Sequence, residues 1–325
     1  MFSVQVSPDV GVNKVFIAGH NGMVGSAIGR KLGEGFLSAD KRVLDLQRQT
    51  DVENYFAAYR PEVVILAAAK VGGIHANNSY RAQFIYNNLQ IQNNIIHSSW
   101  LFGVKKLIFL GSSCIYPKFA EQPIKEEYLL SSPLEDTNEP YSVAKIAGIK
   151  MCESYHREYG CNFVAVMPTN LYGPNDNFHL EDSHVLPALL RKFHEAKVNK
   201  EPEVLVWGTG KARREFLHVD DLANAVHHVL TKIDAKDLWS QRVSHLNIGT
   251  GEDISIAELA KKIAKVVGYE GEIKHQLDKP DGTLRKLLDV SRIKKTGWEH
   301  EISLEDGLKN TYDWYTSKDE SELRL

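Results

Sequence analysis

The chain has 325 residues, 43% hydrophobic and 25% charged, enough apolar material to bury a full core and to divide into two lobes. A net charge of −3 excludes the broad basic field of a nucleic-acid or membrane-surface protein, so any anion must be met by local cations. Three cysteines with no CxxC pair indicate neither a disulfide framework nor a zinc site, and fit a reducing compartment.

Residues 1–12 are expected to be a lead-in that need not be ordered, since Met1 to Asn13 has no basic segment followed by an apolar one, as a secretory signal requires. No apolar run approaches the roughly 20 residues that span a bilayer, so a soluble, cytoplasmic chain is expected. Lys14 to Gly19 (KVFIAG) reads as a buried parallel strand. Gly19, Gly22 and Gly25 follow with GxxGxxG spacing, and a helix runs from Met23 to about Leu32. A strand, close-packed glycines and a helix amino terminus in that order suit a dinucleotide diphosphate.

A polar helix is expected over Thr50 to Tyr59, a buried strand over Val63 to Ala69, and a long helix from about Tyr80 to Phe102. A strand at Lys106 to Leu110 precedes a helix at Tyr141 to Tyr159 and a strand at Asn162 to Met167. Alternating strands and helices imply an α/β fold with a doubly wound parallel sheet. Beyond Pro174 a helix at Pro187 to Ala196, a strand at Val204 to Trp207, a helix at His218 to Leu230 and a short strand at Leu246 to Ile248 are expected. A helix at Ile256 to Val267 and a charged amphipathic tail complete the chain. Residues 13–178 plus about 215–250 are read as the dinucleotide-binding domain. About 179–214 plus 251–325 are read as a smaller α/β lobe that binds substrate.

Tyr141 and Lys145 lie four residues apart, hence on one helix face. A lysine ammonium beside a phenol favours the phenolate and lowers a pKa that starts near ~10. Ser112, Ser113 and Cys114 follow a strand end, where sites of such sheets collect, and supply a hydroxyl that can polarise a carbonyl. The combination predicts an enzyme acting on a carbonyl or on the alcohol it becomes. A lone cysteine or histidine is more often structural than catalytic, so Cys114 and His184 gain their meaning only from the motifs around them.

The glycine triplet, LAAAKVGG (Leu66 to Gly73), GSSCIYP (Gly111 to Pro117) and YSVAK (Tyr141 to Lys145) resemble the extended short-chain dehydrogenase/reductases, whose sheet is the Rossmann type. MPTNLYGPNDNF (Met167 to Phe178), SHVLPALLRKF (Ser183 to Phe193), WGTGKARREFLHVDD (Trp207 to Asp221) and KPDGTLRKLLD (Lys279 to Asp289) narrow the resemblance to the GDP-L-fucose synthases. That family consists of NADPH-dependent 3,5-epimerase/4-reductases of GDP-4-keto-6-deoxy-D-mannose. The resemblance implies Tyr141 as proton donor at C4, Lys145 as its tuner and a ribose contact, and Ser112 as a second hydrogen bond to the carbonyl. It further implies Cys114 as base and His184 as acid for epimerisation at C3 and C5.

The same resemblance places NADP(H) against Gly19, Asn21, Gly22, Met23, Val24, Gly25, Lys41, Arg42, Asp45, Leu66, Ala68, Lys145, Pro168, Asn170, Leu171 and His184. It places the GDP-sugar against Lys192, Trp207, Arg214, Asp281 and Lys286, with no metal. The family often has a basic residue where Asn21 stands, and Asp40 could hold a ribose hydroxyl and favour NAD. The adjacent Lys41 and Arg42 favour NADP. The two long helices resemble the pair through which the superfamily dimerises, implying a homodimer. A plain 4-reductase or 4-epimerase would share the cofactor apparatus without needing Cys114 or His184, and a non-catalytic NADP-binding scaffold would not need Ser112, Tyr141 and Lys145.

Overall fold

The computed structural model describes residues 11–279 and 281–325, so the expected lead-in lies outside the described residues up to position 10. The first strand, β1 (Val15–Ala18), is buried along its whole length and leads through the glycine turn into α1 (Met23–Leu32). Next come α2 (Gln49–Tyr59), β2 (Val63–Leu66), the short α3 (Ile74–Ser79), and α4 (Arg81–Leu101). β3 (Lys106–Leu110), α5 (Glu139–Tyr159), β4 (Phe163–Pro168) and β5 (Asn170–Tyr172) follow. The later part holds α6 (Val185–Asn199), β6 (Glu203–Trp207), β7 (Arg213–Arg214), β8 (Phe216–His218), α7 (Val219–Lys232), α8 (Ala235–Trp239) and β9 (His245–Ile248). It closes with β10 (Ile254–Ser255), α9 (Ile256–Val267), β11 (Glu272–Gln276), β12 (Arg285–Lys286), α10 (Ser291–Lys294) and α11 (Leu304–Thr316).

Five parallel strands form the main sheet in the order β1-β2-β3-β4-β9, with Leu37 adding a single bridge to Phe16 at the β1 edge. VFIA, VVIL, KLIFL and FVAVMP are buried throughout because helices cover both faces, which is why these strands are runs rather than alternations. The strand expected to continue to Ala69 ends at Leu66. Beyond that point the side chain of Asn88 claims the backbone of Lys70, accepting from its N–H at 2.8 Å and donating to its carbonyl at 3.0 Å. That clamp turns Ala67 to Ala69 away from the sheet and into a cavity wall. α5 starts at Glu139, two residues earlier than expected, because Pro140 fits the first turn where no amide partner is needed.

Apolar side chains gather in two large clusters, with a small third around Ala76, Phe84 and Tyr141. One surrounds the main sheet; the other joins Tyr172, Phe178, α6, β6, α9 and α11. Leu288, Val290, Ile293 and Trp298 pack with the first cluster although they follow β12. Glu215, wholly buried, ties the two regions together. Its carboxylate accepts from the amides of Gly251 at 2.8 Å and Leu288 at 2.9 Å. No helix among the described residues is long and apolar enough to cross a membrane.

Candidate active site

A cavity of about 600 Å³ opens at the carboxyl ends of the main strands. Its floor is the glycine turn. Gly19 has φ +93°, a left-handed conformation that glycine adopts without strain. A Cβ on Gly25 would lie 2.1 Å from the Gly19 carbonyl oxygen, so the helix can approach the turn this closely only without a side chain there. The first amides of α1 at Met23 and Val24 therefore face the cavity, with the helix dipole favouring an anion.

The Ser112-Ser113-Cys114 segment forms a tight turn directly after β3, with the Ser112 hydroxyl accepting from the Cys114 amide at 3.3 Å. The buried Ser142 hydroxyl donates to the Cys114 carbonyl at 2.8 Å and locks that turn to α5. Tyr141 stands at the amino-terminal end of α5, its ring against Phe84 and the half-buried Cys114. Burial raises the Tyr141 pKa above its ordinary value, Cys114 raises it further, and the hydrogen bond with Ser112 pulls it back in part. This corrects the expectation that Lys145 lowers it. Lys145 is only 3% exposed, and burial pulls its own pKa down to about 7. Its ammonium donates to the Leu110 carbonyl at 2.8 Å and lies 5.8 Å from the Tyr141 ring centre.

His184 stands at the N-cap position of α6 and lines the same cavity as Cys114. The surrounding protein, then the Lys286 charge, push its pKa below the ordinary histidine value. The segment before it is fixed from the opposite side, where the Gly73 amide donates to the Asp182 carbonyl at 2.6 Å and His75 Nδ1 meets Asp182 Oδ1 at 3.0 Å.

A band of cations leads away from Cys114. Lys286 Nζ lies 4.0 Å from Cys114 Sγ, and the pairing of β12 with β7 sets Lys286 beside Arg214. Burial lowers the Arg214 pKa, with the charges of Cys114 and Asp281 pulling the other way. Asp281 accepts from the Thr209 amide at 2.7 Å and its hydroxyl at 2.8 Å, fixing the turn that follows Trp207. Trp207 is 43% exposed and flanked by two ammonium groups, Lys192 at 4.9 Å and Lys279 at 5.3 Å from its ring centre. Burial and then Lys279 lower the Lys192 pKa.

The cavity brings together Gly19, Asn21, Gly22, Met23, Val24, Gly25, Lys41, Asp45, Ala68, Ser112, Cys114, Tyr141, Lys145, Pro168, Asn170, Leu171 and His184. Arg42 is exposed and Leu66 is fully buried in β2, both outside its lining. Lys192, Trp207, Arg214, Asp281 and Lys286 form the separate band just described. Asp45 also caps its own turn by accepting from the Gln47 amide at 3.1 Å. Sequence reasoning did not single out Lys70, Asn88, Asp176, Asp182 or Arg324. Lys70 and Asp176 had a signal, their places within LAAAKVGG and MPTNLYGPNDNF; Asn88 acts through its clamp on Lys70, and Asp182 and Arg324 reach the site through tertiary packing.

This fold and site define a short-chain type epimerase/reductase, and the chain belongs to the NAD dependent epimerase/dehydratase family, whose model matches residues 15–249. Within that family it is 58% identical to GDP-L-fucose synthase 1 of Arabidopsis thaliana over 306 residues, 93% of each chain. It is 56% identical to GDP-L-fucose synthase of Escherichia coli (strain K12), covering 93% of this chain and 96% of that one. Among solved structures, a GDP-mannoheptose C4 reductase from Campylobacter jejuni with NADP bound has a TM-score of 0.85 at 43% identity, covering 93% of this chain and 98% of that chain.

Proposed function

We propose that the chain converts GDP-4-keto-6-deoxy-D-mannose into GDP-L-fucose, inverting C3 and C5 and reducing C4 with NADPH. The observation that carries this reading is the convergence of Ser112, Cys114, Tyr141 and His184 on one cavity. Reduction alone uses Tyr141 and Ser112; Cys114 and His184 are surplus to it and are the groups that epimerisation requires.

The cavity fits a dinucleotide because its glycine turn admits no side chain at Gly25 and leaves the α1 amides free for a diphosphate. Gly22, Met23 and Val24 would hold that diphosphate, Lys41 would meet a ribose phosphate, and Ala68, Pro168, Asn170 and Leu171 would flank the rings. When bound, NADP(H) supplies the hydride. The substrate's GDP moiety suits the cationic band, with Arg214 and Lys286 at the diphosphate and the partly exposed Trp207 ring near the base.

In the epimerisation, the Cys114 thiolate takes the proton from C3 and the resulting charge rests on O4, where the Ser112 and Tyr141 hydroxyls stabilise it. His184, protonated, returns a proton to the opposite face. The same exchange inverts C5, and the two groups recover their starting states by trading protons with water. At C4 the carbonyl carbon accepts hydride while Tyr141 gives its proton to O4. Pulling Lys145 to about 7 keeps a proton exchangeable on the same helix face near neutral pH.

Reduction without epimerisation is the second reading, favoured by the likeness to the Campylobacter jejuni C4 reductase. Incubation with GDP-4-keto-6-deoxy-D-mannose and NADPH in deuterated water separates the two. GDP-L-fucose carrying deuterium at C3 and C5 is the expected product, and Cys114→Ser should abolish that wash-in while binding NADPH normally. A reduced sugar without deuterium at those carbons overturns the first reading in favour of the second. The enzyme is further read as a cytoplasmic homodimer assembled through α4 and α5, which carry the exposed Tyr86, Leu101, Val143 and Tyr159. A monomeric mass in light scattering would contradict that assembly.

A further inference from the structure

Asp176 and Arg324 are among the charged residues that line the cavity without a part in the chemistry above. Arg324 is carried there by its main chain. Its carbonyl accepts from the Phe178 amide at 2.7 Å, its backbone bridges Asn177, and the preceding Leu323 packs on the second apolar cluster. None of these contacts involves the guanidinium, so the position of the side chain does not depend on its own charge.

The guanidinium has five donors, and one of them reaches the Asn175 carbonyl at 3.5 Å, the long limit of a hydrogen bond. Among the described residues it makes no ion pair. Asn175 in turn donates to the Ser26 hydroxyl at 3.0 Å, which anchors this corner against the first turns of α1. The other cations of the cavity are engaged or distant: Lys145 is bonded to Leu110, Lys70 lies over the Tyr80 and Phe84 rings, and Lys41 lies at the Asp40 end.

Asp176 sits beside this corner and is only 6% exposed. One carboxyl oxygen accepts from the Asn177 amide at 2.7 Å; the other, Oδ2, has no partner. Burial lifts its pKa to about 7 although Arg324 acts to lower it, and among the described residues no ion pair joins the two side chains. An arginine with no ion pair among the described residues thus lines the same cavity as the first residues of α1.

We propose that Arg324 is a phosphate-binding residue of this cavity, reaching in from the segment after α11. The proposal rests on the reading of the cavity as a site for a dinucleotide and a sugar nucleotide. Both ligands carry a diphosphate, the group for which an arginine fork is best shaped.

Calorimetric titration of the whole protein with NADPH and, separately, with GDP tests it on Arg324→Ala and Arg324→Lys. Loss of a charge-assisted contact should raise Kd roughly ten- to hundredfold for Ala, with partial recovery for Lys. A loss confined to NADPH assigns the contact to the dinucleotide, and one confined to GDP assigns it to the sugar nucleotide. Unchanged Kd in both arms overturns the proposal. So does a loss in both arms that accompanies a fall in melting temperature, since the residue would then only hold the fold together. Neither titration needs turnover, so failure of the epimerase reading leaves this result standing by itself.

Discussion

Lys145 donates its Nζ proton to the carbonyl oxygen of Leu110, the last residue of β3, at 2.8 Å. That bond anchors the ammonium under the sheet end, with the Phe109 ring 4.9 Å away, and burial makes its charged form costly there. The unfolded chain binds a proton with the ordinary lysine pKa of 10.5, the folded chain with about 7. Between those values the unfolded state holds more protons, so stability rises with pH across that window. The burial penalty is complete below pH 7 and gone above 10.5, closing by about 1.4 kcal/mol for each pH unit between them. Lys145→Met should therefore raise the melting temperature at pH 6.5 by a few degrees, with the gain closing toward pH 10, while turnover is lost. A melting gain that does not depend on pH would refute this account.

Gly25 offers a cleaner separation of binding from chemistry. Its missing Cβ leaves the room that the Gly19 carbonyl occupies, and the nearest atoms are backbone that cannot rotate aside. Gly25→Ala should push α1 off the turn and move the amides of Met23 and Val24. NADPH affinity should fall by at least about tenfold, equivalent to 1.4 kcal/mol, with GDP affinity near that of the parent. Equal losses for both ligands would place the damage in the whole fold instead.

Much of this was legible in the chain because its signals are local. KVFIAG, the glycine triplet and the Tyr141–Lys145 spacing each identify an element and its chemistry within a few residues. The strands VVIL and KLIFL are apolar throughout, so their burial on both faces could be read directly. What could not be read was set by contacts distant in sequence. Asn88 clamps the backbone of Lys70 from 18 residues away, and Asp182 pairs with His75 across 107 residues. The direction in which the Tyr141 pKa moves is hidden for the same reason. Spacing shows that a lysine is near, but not that burial outweighs it or that the ammonium is spent on Leu110.

The adenosine end of the cavity sets the choice between the two nicotinamide cofactors. Asp40 is 65% exposed, and Asn21 donates from Nδ2 to its Oδ1 at 2.6 Å. That bond takes up one acceptor site of the carboxylate, while Lys41 lines the cavity next to it. NADPH should outperform NADH in kcat/KM. Lys41→Ala should narrow the ratio by about tenfold, the loss expected for one charged contact, and Asp40→Asn should widen it. A parent enzyme that prefers NADH would show that Asp40, not Lys41, governs the site.

Asp176 responds to pH with the opposite sign to Lys145. Its carboxyl has an ordinary pKa of 3.8 in the unfolded chain and about 7 when buried with Oδ2 unpartnered. Between those values the folded state holds more protons, so stability falls as pH rises. The penalty is absent below pH 4 and complete above pH 7, at most of the order of 4 kcal/mol by the same conversion. Asp176→Asn keeps an acceptor for the Asn177 amide and removes the charge. It should melt a few degrees above the parent at pH 8 and alongside it at pH 4.5. Arg324 lowers the Asp176 pKa in the parent, so Arg324→Ala should enlarge the gain from Asp176→Asn at pH 8. Additive effects of the two substitutions would show that the pair does not interact, and the charge of Arg324 would then be free of Asp176 at every pH.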